Sequence, residues 1–137
     1  MLNYQEHISK ESMYNTPPVF PVYASLLTLQ WLKKIGGIAA VEKLNQAKAN
    51  LLYTEIDRNP YFKGAAKVED RSNMNVVFLL ENEEHTTLFD SMWKAAGISG
   101  LPGHRSVGGY RASMYNALPI ESVQVLVDVM KDFESKI

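Results

Sequence analysis

Cysteine is absent from the 137 residues, so disulfides, thiolate nucleophiles and cysteine-based zinc sites are all excluded. Histidine is scarce. His7, His85 and His104 are the only imidazoles, and none is paired with a second one at metal-ligand spacing, which argues against a metal site. Neither sign of charge dominates: 14 basic and 15 acidic residues give a formal net charge of -1. No overall basic field exists to attract nucleic acid or an anionic membrane, and any anion site must be local. The longest apolar runs are broken by charges and the first residues are polar, so the sequence reads as having neither a membrane span nor a signal peptide, and its composition fits a cytoplasmic protein. The glycine fingerprints of Rossmann and Walker nucleotide sites are missing. Ser106 stands beside His104 and Arg105, but no nucleophile elbow and no placed acidic partner accompany it, so hydrolysis finds no support. The lysines fall mostly on outer helix faces or in turns, and none reads as buried and activated.

What is present bounds the chain to one ordinary globular domain with a single core, at 46% hydrophobic and 21% charged residues. Residues 1–14 have no sustained period beyond a short extended piece at Leu2 to Tyr4, and resemble a connection from something upstream. Asn15-Thr16-Pro17-Pro18 reads as a turn and helix start, with a side-chain oxygen available as a cap. A helix is expected from Val19 to Ile35, with Val22, Leu26, Leu29 and Leu32 or Trp31 at helical spacing and Gly36-Gly37 as its stop. A second helix runs from Ile38 to about Arg58, with Val41, Leu44, Ala47 and Leu51 inward. Asn59-Pro60 ends it, and Tyr61-Phe62 pack back on the core.

Lys63 to Val68 is a weak strand, and Met74 to Leu80 a strong one, apolar enough to be central or buried on both faces. A helix from about Thr86 to Ala96, carrying Leu88, Phe89, Met92 and Trp93, stops at Gly97. Ile98 to Leu101 and Tyr110 to Met114 read as two further strands. The last helix, Pro119 to about Ser135, turns Ile120, Val123, Leu126 or Val127, Met130 and Phe133 inward. This order implies an α+β sandwich, with helices packed on one face of a small, mostly antiparallel sheet.

Candidate chemistry concentrates in the stretch from Gly103 to Ala117. It places His104, Arg105 and Arg111 among Gly103, Gly108 and Gly109, where the backbone can turn sharply or approach a ligand closely. Arginine offers a planar donor fork that matches a carboxylate or phosphate, and an imidazole can add a further donor. Such residues can equally be solvated surface groups. The alternation from Tyr110 to Tyr115, however, puts Arg111 on a strand at a strand-to-helix junction. Asn15-Thr16 is a second candidate, because helix N-termini can receive phosphates. From residue chemistry alone, the chain binds a small dianionic or carboxylated molecule and has no reactive group of its own.

Taken together, Asn15-Thr16-Pro17-Pro18, the helix with Trp31, Gly36 and Gly37, Leu52-Tyr53 with Ile56-Asp57, Arg71-Ser72-Asn73-Met74-Asn75 and the whole 103–117 stretch closely resemble the C-terminal part of the phosphoserine aminotransferase family, within the fold type I, class V aminotransferases. The resemblance implies an enzyme that uses pyridoxal 5'-phosphate (PLP) to exchange an amino group between L-glutamate and 3-phosphohydroxypyruvate, giving 2-oxoglutarate and O-phospho-L-serine in serine biosynthesis. In bacteria it also implies the related step of pyridoxine biosynthesis. It further implies a homodimer whose cofactor-bearing lysine lies upstream. Residues 1–18 would then link to the missing large domain, and residues 19–137 would form the small C-terminal domain. By the same resemblance Arg111 receives the substrate α-carboxylate, His104 and Arg105 the substrate phosphate or the distal carboxylate of glutamate in the neighbouring subunit, and Asn15 and Thr16 the cofactor phosphate across the dimer interface. No residue here is assigned a catalytic role, and the segment alone is expected to be inactive and without bound PLP. Two alternatives stand beside this reading: a class V relative with an unphosphorylated substrate, against which His104-Arg105 argues, and a free-standing anion-binding or interaction domain.

Overall fold

The computed structural model describes residues 3–103 and 108–137. Helices α1 (Tyr4–Ile8), α2 (Val19–Lys34) and α3 (Gly37–Arg58) precede strands β1 (Phe62–Gly64) and β2 (Asn75–Leu80); α4 (Thr86–Ala95), β3 (Tyr110–Ser113) and α5 (Ile120–Glu134) follow. The chain divides into two compact units, Met1–Ala39 and Ala40–Ile137, with the division in the first turn of α3.

In the first unit, the segment read as irregular or extended contains the short helix α1. Asn3 caps it by accepting a hydrogen bond from the Gln5 N–H at 3.1 Å, a local side-chain interaction that leaves no hydrophobic period. Helix α2 keeps its expected bounds, but its N-cap is Pro18 and no side chain caps it, so Asn15 and Thr16 do not serve as caps. None of its side chains is buried, although Phe20, Leu26, Leu27 and Leu29 are among them.

The second unit is built on a three-stranded antiparallel sheet in the order β1-β2-β3. β2 is central, as its apolar sequence implies, but only Val76 and Phe78 are fully buried, while Val77 and Leu79 on the other face are half-buried. Val76 pairs with Ala112 and Phe78 with Tyr110, so one sheet face is continuous across both strands. On that face α3, α4 and α5 close the core through Leu52, Ile56, Phe89, Met130 and Phe133. Phe62 anchors an aromatic cluster, with ring centroids 5.1 Å from Phe89, 5.5 Å from Phe133 and 5.8 Å from Phe78. The off-parallel rings match the quadrupole preference of aromatic pairs.

Several local expectations change. The buried residues of α3 are Val41, Asn45, Lys48, Ala49, Leu52, Tyr53, Glu55 and Ile56, whereas Leu44 is half exposed and Ala47 exposed, because this helix turns polar side chains inward onto neighbouring polar groups. Lys48 is therefore a buried lysine, contrary to the sequence reading. β1 sits earlier than Lys63 to Val68; the chain leaves it into a short 3-10 turn at Val68–Asp70. Ile98 to Leu101 form no strand, since Gly97 and Gly100 take φ of 77° and 70° and turn the chain, leaving an isolated bridge between Pro102 and Tyr110. Ile120 stays largely outside the core that Val123, Leu126, Val127, Met130 and Phe133 join.

Asp90 on α4 ties β3 to the helical layer. Its Oδ1 accepts from Tyr110 Oη at 2.9 Å and Trp93 Nε1 at 3.0 Å, and its Oδ2 from Lys94 Nζ at 3.3 Å. Burial works to raise the carboxyl pKa, but the donors from Trp93, Tyr110 and Lys94 outweigh it and hold the group below its ordinary value; burial and the same contact push the Tyr110 phenol upward. Folding thus favours the ionised carboxylate, so its contribution is complete above the ordinary Asp range and is lost as the pH falls through the folded-state value. Asp90→Asn, which keeps a neutral oxygen for Tyr110 and Trp93 but has no acceptor left for Lys94, is expected to cost about 1 kcal/mol at neutral pH in urea unfolding. The gap to the parent chain should close below about pH 4. A pH-independent gap would contradict this role.

Candidate functional site

Along β3, burial alternates: Tyr110 and Ala112 face the core, whereas Arg111 and Ser113 face outward. Arg111 is paired with Val77 across the sheet, and its N–H donates to Leu101 O at 2.7 Å. Both sides of the backbone are therefore fixed, and the guanidinium hangs from a rigid element. Arg111 lines a cavity of about 350 Å³ whose walls are the 96–101 turn, the end of β3 and the start of α5, with Ser99, Ser113 and Ser122 contributing hydroxyls. Two other arginines are already neutralised. Arg58 meets Glu55 and Glu134 at 2.6 Å each, and Arg71 grips Asp57 through both nitrogens at 2.6 and 2.7 Å. Arg111 has no ion-pair partner among the described residues.

The glycines do what the sequence asked of them, at two positions in particular. Gly103 N–H donates to Gly109 O at 2.8 Å, which brings these two residues together. A Cβ on Gly103 would collide with the Gly108 carbonyl. Gly109 has φ of 65°, and a Cβ there would collide with the Leu79 side chain and come within 2.7 Å of Phe78 O. Only glycine lets the chain lie this close to β2. His104 and Arg105 lie outside the described residues. Asn15 and Thr16 are exposed residues of the first unit, between α1 and α2, while Arg111 belongs to the second.

Sequence reading missed the groups that hold the exit of β3. Lys48, 1% exposed, donates through Nζ to Met114 O at 3.1 Å, Tyr115 O at 2.8 Å and Leu118 O at 3.1 Å. One turn earlier on α3, Asn45 Nδ2 donates to Asn116 Oδ1 at 2.8 Å. Burial pulls the Lys48 pKa below its ordinary value. The signal was available: Val41, Asn45, Lys48 and Leu52 are spaced by four, three and four residues, a helical stripe hidden by its two polar members. With all three N–H groups committed, Lys48 is no nucleophile. Among the described residues no group of three or more histidines and carboxylates could hold a metal ion. What remains chemically is a fixed cation beside a cavity, suited to gripping a carboxylate.

The pattern of the family described as aminotransferase class-V matches residues 1–126. Phosphoserine aminotransferases from Flavobacterium psychrophilum and Flavobacterium johnsoniae are 77% and 79% identical over 137 residues, covering 100% of this chain and 38% of each relative. The Porphyromonas gingivalis phosphoserine aminotransferase is 55% identical over 138 residues. Among solved structures, a phosphoserine aminotransferase from Bacillus circulans subsp. alkalophilus superposes with a TM-score of 0.88 at 41% identity, covering 97% of this chain and 37% of that one. A PLP-bound phosphoserine aminotransferase from Trichomonas vaginalis gives 0.82 at 39% identity, covering 93% and 37%. The chain thus spans a little over a third of the length of the relatives it matches. With a family pattern that runs through nearly the whole chain and an α+β fold shared with its solved relatives, the chain belongs to the class V aminotransferases.

Proposed function

We propose that this chain is the substrate-gripping C-terminal part of a phosphoserine aminotransferase, a PLP-dependent enzyme that moves an amino group between L-glutamate and 3-phosphohydroxypyruvate, giving 2-oxoglutarate and O-phospho-L-serine. The observation that carries the reading is Arg111: a cation without an ion-pair partner among the described residues, on a doubly anchored strand, at the wall of a cavity. A guanidinium fork so placed binds an α-carboxylate through two parallel hydrogen bonds and fixes the orientation of the substrate Cα. His104 and Arg105, following the glycine-pinched turn, are assigned to the substrate phosphate or the distal carboxylate of glutamate. In bacteria the same anion grip would serve the related step of pyridoxine biosynthesis.

The residues fit one end of the cofactor. Asn15 and Thr16 are exposed donors free to meet a phosphate, whereas the buried amine, Lys48, is saturated by three carbonyls and cannot hold the cofactor's carbonyl carbon. By the family resemblance, the lysine that carries the cofactor is assigned to the large domain upstream of this segment. When bound, PLP supplies the carbonyl that accepts and returns the amino group and the conjugated ring that stabilises charge at the substrate Cα. This chain contributes binding and orientation. Residues 1–18 are read as the connection to an upstream large domain, residues 19–137 as the small domain, and the working enzyme as a cytoplasmic homodimer in which Asn15, Thr16, His104 and Arg105 serve the neighbouring subunit's site. Helix α2 favours this reading over a free-standing binding domain: its apolar residues run round the whole helix and none of its side chains is buried, as suits a surface that a larger fold covers.

In the full-length enzyme, Arg111→Ala is expected to lower kcat/KM for glutamate about 100-fold, with Arg111→Lys recovering only part because it lacks the fork. Unchanged kinetics would remove the basis of the reading. Gly109→Ala, by pushing the loop base off Phe78, should lower kcat/KM for both substrates about 10-fold with the cofactor absorbance intact. The purified 137-residue chain, supplied with PLP, glutamate and 3-phosphohydroxypyruvate, should form no phosphoserine; detectable product would refute the assignment of the chemistry to an upstream lysine.

A further inference from the structure

Lys48 is a buried charge that the chemistry above leaves unused. An ammonium held away from water is costly unless each of its protons finds an acceptor. Here all three do, and the acceptors are the Met114, Tyr115 and Leu118 carbonyls of the irregular segment between β3 and α5, outside any sheet ladder or helix; Tyr115 O accepts from the Leu118 N–H as well. With Asn45 holding Asn116, the face of α3 grips Met114, Tyr115, Asn116 and Leu118. Met114 and Leu118 also line the cavity on which Arg111 stands, and Met114 directly follows β3. Asn45 meanwhile leaves its Oδ1 buried with no partner among the described residues, so its orientation serves the contact with Asn116 at a local cost. Apolar packing alone is non-directional; three donor distances between 2.8 and 3.1 Å are not.

We propose that Lys48, assisted by Asn45, is a positioning residue for substrate: through the carbonyls of Met114, Tyr115 and Leu118 it sets the cavity wall against which Arg111 holds the carboxylate. The inference rests on the reading of Arg111 as that grip. The test is a double-mutant cycle in the PLP-loaded full-length enzyme, comparing Lys48→Met, Arg111→Ala and the combination, with KM for glutamate and kcat per cofactor-loaded site read separately. Lys48→Met should raise KM on the order of 10-fold or more, and should add little once Arg111 is already alanine. A residue that merely stabilises the fold would reduce the yield of loaded enzyme and leave the KM of the remainder unchanged. Should Lys48→Met not accumulate as folded protein, Asn45→Ala, which removes a single hydrogen bond to the same segment, takes its place in the cycle. If Arg111→Ala raises KM but the α3 variant does not, or if the two effects simply add, the positioning role is overturned while the grip stands. If Arg111→Ala itself leaves KM unchanged, the grip fails and the positioning role falls with it.

Discussion

A slip of β3 by one residue against β2 would bury Arg111 and expose Tyr110, so everything at the candidate site depends on the register of four residue pairs. Short strands hold register weakly by their own hydrogen bonds. Here the Tyr110 ring stacks on Phe78 at 5.3 Å between centroids, and its hydroxyl is held by Asp90. At one end Gly109 fits against Leu79 and Phe78 only because it lacks a Cβ; at the other, Met114 N–H donates to Met74 O and Lys48 takes the Met114 carbonyl. The outward guanidinium is thus the product of an inward phenol.

Much of this was legible in the chain. The period-two pattern from Tyr110 gives β3 and the outward face of Arg111, the apolar run at 75–80 gives the central strand, and Gly36-Gly37 and Gly97 mark helix ends that the structure keeps. What escaped are places where polar groups act inside. Asn45 and Lys48 were passed over because a stripe reader ranks apolar residues, and Leu44 looked the better core residue than either. Ile98 to Leu101 has strand composition, but the left-handed backbone at Gly97 and Gly100 overrides it. Helix α1 is held by a single cap and has no buried face to announce it. Arg111 is where sequence and structure meet most directly; His104 and Arg105 lie outside the described residues, and Asn15 and Thr16 are readable only as exposed donors.

The two units differ in the way they are stabilised. The second has an aromatic core joined by three helices and a sheet, with Arg58 and Arg71 locked to carboxylates at its surface. The first has α2, which carries apolar residues round its whole circumference and has no buried side chain.

The charge balance of the chain has a kinetic corollary. With acids and bases nearly equal in number, this chain itself contributes no far-reaching field to gather anions, and the potential of a single exposed guanidinium fades over about 8 Å at physiological ionic strength. On the proposed reading of Arg111 as a carboxylate grip, discrimination then falls at the moment of contact, when a fork on a rigid strand either matches two oxygens or lets the visitor go, and residence time more than rate of arrival is the quantity that such a grip controls.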